Sequence, residues 1–236
     1  MMDTEDQPKT EVLDAYDVLF DELELEPARF FERSLAAIKD VDPASAEEDW
    51  NALVERLENG GTAFIRGAGR NAQGTEAWFK VCRHLFKNAD IRKDPDNNTE
   101  PTKLLTRLTR YGKVTEKGDG IRHLMNYQVS HLWEKRTHNP LLFTAAWNIA
   151  WVPKYLDPFT GHETKGEHVV AFQKLFVQRN RQRYGKQIAA YNAYVTANVL
   201  PRLEEAMVAT MPELQGWSVR KVSSFESRLR QEFAVI

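Results

Sequence analysis

An α+β fold dominated by helix is predicted for this 236-residue chain from three observations. Apolar residues recur at helical spacing through most of its length, strand-like runs are confined to residues 62–66 and 126–152, and Gly, Pro and Asn clusters fall between them. Six Trp, twelve Phe and seven Tyr supply the apolar surface for a proper core and exclude a wholly disordered chain. No uninterrupted apolar run approaches the roughly 20 residues that cross a bilayer, so no membrane span is expected. The opening Met1-Met2-Asp3-Thr4-Glu5-Asp6 is acidic and lacks the apolar stretch of a secretory leader; a cytoplasmic protein is the expectation. The single cysteine, Cys82, excludes an internal disulfide and a multi-thiolate zinc site.

Taken in order, residues 1–10 read as a loose tail, and Val12, Tyr16, Leu19 and Phe20 have helical spacing. Pro27 opens a second helix, since its missing N–H costs nothing in the first turn. Ser45 is expected to cap a third, whose apolar face is Trp50, Leu53, Val54 and Leu57, with Asn59-Gly60-Gly61 as the stop. Thr62–Arg66 is a short strand. Gly67-Ala68-Gly69-Arg70 is only part of a phosphate-loop pattern, because no Gly-Lys-Ser/Thr follows; a connecting loop is the plainer role. Trp78, Val81, Cys82 and Leu85 mark a helix, residues 87–102 a turn-rich loop, and Lys103–Tyr111 another helix. Residues 167–184 and 187–211 read as two long helices with a kink at Pro201, and the tail from Trp217 fits strand or helix.

Charge is segregated. Residues 1–60 hold eighteen acidic and five basic side chains, whereas residues 101–186 hold fifteen basic and six acidic ones. This pattern fits a polyanion-facing surface, or an internal clamp in which the acidic portion packs on the basic one, and the two are compatible. The chain divides into an acidic helical region (1–61), a mixed basic connecting region (62–125), a central segment (126–165) and a helical C-terminal region (166–236), expected to form one domain.

The central segment carries the chemistry. Tyr127, Val129 and His131 lie on one strand, a polar link runs from Glu134 to Pro140, Asn148–Val152 is a second strand, and a helical turn follows from Pro153. This order resembles the ββα-metal finger of the HNH, or His-Me, endonucleases. The resemblance covers about forty residues. It implies that His131 is the general base that activates water. It makes Asn148 the residue that ties down the connection or orients the base. Asp157, nine residues after Asn148, or His162 would bind one Mg²⁺ or Mn²⁺ ion. The chemistry is coherent: an imidazole with an ordinary pKa near 6.5 accepts a proton from water at neutral pH, and a hard cation neutralises charge on a phosphate. The chain departs from the family pattern where Ser130 replaces an Asp or His ligand and where Pro158 shortens the helix; Asp157-Pro158-Phe159-Thr160-Gly161 is also a good turn.

Arg107, Arg110, Arg136, Lys174, Arg179, Arg181 and Arg183 are the expected nucleic-acid contacts around such a site, unless they form a merely solvated face. The reading that results is a magnesium-dependent endonuclease acting on double-stranded DNA, of restriction type and capable of homodimerising. Its alternative is a non-catalytic nucleic-acid-binding or regulatory protein with a degenerate finger.

Overall fold

The computed structural model describes residues 13–68, 72–133, 136–160 and 164–236. Helix α1 (Ala15–Glu22) starts at Asp14, and α2 (Pro27–Leu35) starts at Glu26; each cap carboxylate accepts a backbone N–H of the first turn. Strand β1 (Lys39–Asp40) leads into α3 (Pro43–Glu58). The cap of α3 is Asp42, whose Oδ1 accepts the Ser45 N–H at 2.9 Å, not Ser45 itself. Pro43, preorganised for the first helical position, starts the helix earlier than the Ser signal implies.

Strand β2 (Ala63–Ile65) and α4 (Ala72–Phe86) follow as expected. The loop expected over 87–102 instead contains β3 (Ile91–Lys93), parallel to β2, and the start of α5 (Thr99–Thr109). Asp94 organises this turn: its carboxylate accepts the N–H groups of Asp96, Thr99 and Glu100. Next come β4 (Tyr111–Lys113) and β5 (Arg122–Leu124), a parallel pair, then β6 (Tyr127–His131).

A single-turn helix, α6 (Pro140–Phe143), and a 3-10 turn at Ala146–Asn148 connect β6 to β7 (Ile149–Pro153), and a second 3-10 stretch, Lys154–Thr160, leaves β7. Pro158 lies inside that stretch, where its missing N–H is consistent with a tight turn in place of a longer α-helix. Helix α7 (Glu167–Tyr194) is interrupted at Tyr184, close to the break expected between two helices. A π turn at Val195–Val199 and a 3-10 turn containing Pro201 carry the chain into α8 (Leu203–Thr210). The ambiguous tail is helical, α9 (Val219–Glu232). Helix dominates, around small sheets.

The central sheet has the order β1-β7-β6, antiparallel throughout, with His131 opposite Ile149 and Lys39 opposite Trp151. All five residues of β7 are buried, which places the middle strand of this sheet in the core. Trp147, Trp151, Phe172, Tyr184 and Tyr191 pack within it. Its first strand comes from the 1–61 region and the other two from the 126–165 segment. Among the described residues, no helix is long and apolar enough to cross a membrane.

Candidate functional site

His131 ends β6, and its neighbour across the hairpin, Ile149, follows Asn148. The 132–148 connection must therefore close on itself between two paired residues. Two buried asparagines close it. Asn139 starts α6: its Oδ1 accepts the Leu141 N–H at 3.0 Å, and its backbone carbonyl accepts those of Leu142 and Phe143. Asn148 lies at the other end, fully buried. Its Nδ2 donates to the Leu142 carbonyl at 2.8 Å, its Oδ1 accepts the Trp133 N–H at 2.9 Å, and its backbone carbonyl accepts that of Leu132. One side chain thus joins both arms of the connection.

The imidazole of His131 stacks on the Phe143 ring, with centroids 5.4 Å apart and planes at 14°. Its Nε2 lies 3.0 Å from the Phe143 carbonyl oxygen, one of the acceptors a helix end leaves over. Since a carbonyl only accepts, Nε2 bears the hydrogen in this contact. His131 as a residue is 7% exposed.

Asp157 sits elsewhere. Its Oδ1 accepts a hydrogen bond from Gln128, three positions before His131. On a strand that is about 10 Å of travel and a change of face, so the two do not converge as the resemblance implies. Ser130 shares the face of Gln128 and is buried. His162 lies outside the described residues. Among the described residues, no group of three or more His, Cys, Asp or Glu side chains could hold a metal ion. Asp157 offers one carboxylate, which by itself is not a donor set for Mg²⁺ or Mn²⁺.

The arginines expected to line a groove are largely engaged within the molecule. Arg179 forms a two-point pair with Asp40, and Arg183 stands 4.0 Å from the same carboxylate while donating to the Val41 carbonyl at 3.1 Å. Arg107 lies 3.3 Å from Asp49, whose other oxygen accepts the Ala146 N–H. Burial raises the Asp49 carboxyl above its ordinary value, against the pull of that N–H and of Arg107. Arg136 donates to the carbonyls of Ala234 and Val235, tying the C-terminus to the connection. Arg181 lies over the Trp133 ring at 5.4 Å. Lys174 and Arg110 are exposed.

His138, within the link that reads as polar, is buried. It stacks on Trp78 at 4.6 Å, and its Nδ1 lies 2.8 Å from Glu232 at the end of α9. Burial lifts the Glu232 carboxyl above the usual range despite this hydrogen bond. The Asn139-Pro140 dipeptide, a cap followed by Pro at the first helical position, was the readable clue to α6. Nothing local in the sequence announces Gln128, Phe143 or Glu232 as partners.

A family model described as uncharacterised protein PM1201 matches residues 41–236, which include His131, Asn148 and Asp157. The uncharacterised protein PM1201 of Pasteurella multocida (strain Pm70) is 33% identical over 227 residues, spanning 94% of this chain and 97% of that protein. No solved structure matches.

Proposed function

The chain belongs to the family of uncharacterised protein PM1201, and for it we propose hydrolysis of nucleic-acid phosphodiester bonds with His131 as the general base. The observation that carries this reading is the anchored imidazole at the end of a β-hairpin: Nε2 bonded to the Phe143 carbonyl, in a connection clamped by Asn148. In this mechanism the imidazole takes a proton from water as the water oxygen attacks phosphorus. The phosphorus–oxygen bond to the departing sugar breaks, and that oxygen takes a proton from solvent. The Phe143 carbonyl dipole faces the ring that becomes cationic, and stacking on Phe143 fixes its orientation. Asp157, held by Gln128, and Ser130 lie on the opposite side of β6 from His131 and take no part in the step; no step is routed through a metal.

The test is nicking of supercoiled plasmid in Mg²⁺ or Mn²⁺ by wild type and His131→Ala, with a thermal melt of each. The expected result is cleavage slowed at least about 100-fold in the variant, with plasmid binding retained. Undiminished cleavage by a folded His131→Ala removes the base assignment. The near-complete burial of His131 favours a second reading, a nucleic-acid-binding protein with a non-catalytic finger. Plasmid retardation by wild type without any nicking supports that one.

A further inference from the structure

Sorting the cations by partner separates two populations. Arg107, Arg179 and Arg183 face Asp49 or Asp40 and serve the fold. Arg110, Lys113, Lys117 and Arg122 are exposed, and among the described residues none of them has a carboxylate within 4.0 Å. Lys113, Lys117 and Arg122 lie on the flap formed by β4, β5 and the short connection between them, and Arg110, the C-cap of α5, directly precedes it. That flap is ordered by its own packing. The Arg122 guanidinium stands 4.8 Å from the centre of the Tyr111 ring, and the Lys39 ammonium, from β1, 5.7 Å from it.

The connection is unusually short for parallel strands, which ordinarily need a dozen or more residues between them. Glycines permit it. Gly118 and Gly120 have φ of 153° and 74°, and a side chain at Gly112 would meet Glu116 and Ile121 at 3.1–3.2 Å. Glu116 and Asp119 are the acids of this stretch, so residues 110–124 keep an excess of two positive charges, with Lys39 beside them. The flap runs through a turn at Asn126 directly into β6, and the Asn126 carbonyl accepts the Lys154 N–H at 2.9 Å, next to the segment that bears Asp157.

We infer that this flap, rather than the paired Arg179 and Arg183 of α7, is the surface that takes the phosphate backbone of a nucleic acid. The inference rests on the proposed function for the class of ligand and supplies the surface on which that ligand lies. Exposed, unpaired cations are the groups that can release counterions on binding; cations already paired inside the fold have little left to release. The surface predicts no base preference, because backbone contacts position without reading sequence.

The experiment is fluorescence anisotropy of a short labelled DNA duplex titrated with full-length protein at several KCl concentrations. Three proteins are compared: wild type, the flap variant Arg110→Gln/Lys113→Gln/Lys117→Gln, and Arg179→Gln. Melting curves accompany each, and anionic lipid vesicles form a parallel arm. The expected result is that the flap variant melts like wild type while its log affinity against log salt flattens by about 2–3, roughly 0.9 for each phosphate no longer neutralised. Arg179→Gln is expected to melt lower and keep the wild-type slope. An unchanged slope in the flap variant overturns the inference, as does vesicle binding without duplex binding, or no duplex binding by wild type at all. Plasmid nicking is scored separately. A flap-dependent slope without nicking refutes the His131 chemistry alone, and nicking with an unchanged slope refutes the flap alone.

Discussion

Asn148 bonds through both ends of its amide to backbone groups six and fifteen residues away. Its worth follows from burial. Removing the side chain leaves the Leu142 carbonyl and the Trp133 N–H without their partner, each at a cost comparable to a lost buried hydrogen bond. Asn148→Ala is therefore expected to lose about 2–4 kcal/mol and to lower the melting temperature in calorimetry by roughly 4–16 °C for a domain of this size. A melting point within a degree of wild type contradicts the clamp. Asn148→Asp retains the acceptor for Trp133 and places a second acceptor against the Leu142 carbonyl, so it too is expected to melt below wild type. The asparagine's position was readable from order and spacing along the chain. Its partners were not, because the groups it binds are main-chain atoms whose placement depends on how α6 folds. His138 shows the same limit in reverse: a polar run around it suggests exposure, yet α9 and α4 cover it.

At the scale of elements, helix starts were the most legible feature, since capping is local. Pro27 marks α2 correctly by type, α6 went unread although Asn139-Pro140 starts it, and the error at α3 was one of which acceptor does the capping. The side-chain and backbone hydrogen bonds at Ser45 hold the Asp42 carboxyl below its ordinary value. A lowered folded-state value means that the carboxylate contributes stability above the unfolded value near 3.8. That contribution is lost as pH falls through the lower folded value. Asp42→Ala is expected to cost about 1 kcal/mol at neutral pH. The gap to wild type in urea midpoints should hold down to about pH 4 and shrink below it; a gap that widens in acid contradicts the capping role. The short strands β1, β3, β4 and β5 escaped sequence reading because two or three residues cannot display a period. They exist where a neighbour pairs with them, as β7 does with β1.

Across the whole molecule, the uneven distribution of charge is partly resolved internally. Asp40, Asp49 and Asp17, from the acidic portion, meet Arg179, Arg107 and His168 of the basic one. The Asp40 side chain is only 5% exposed and faces two arginines, so this pair ties β1 to α7 where salt screens little. Asp40→Ala leaves Arg179 without its carboxylate and is expected to cost about 2–4 kcal/mol, read as a fall in denaturant midpoint that changes little with added KCl. A loss that disappears in high salt contradicts a buried tie. The internal clamp expected from the charge pattern thus has residues to carry it: an inner set holds the fold, while an outer set on the β4–β5 flap is offered to solvent. Charge counts alone could not divide the two, since the division depends on which acids the fold brings within reach.

The proposed chemistry depends on a proton passing from water to the ring at position 131. Chemical rescue addresses that step directly: His131→Gly, checked for folding by its melting curve, is assayed for plasmid nicking with and without free imidazole and its methylated analogues. Proton transfer at this ring predicts that nicking lost in the variant returns with added imidazole, saturates as the vacated space beside Phe143 fills, and varies with the basicity of the rescuing ring. Nicking by His131→Gly at the wild-type rate without imidazole, or a folded variant that imidazole leaves inactive at every concentration, would contradict it.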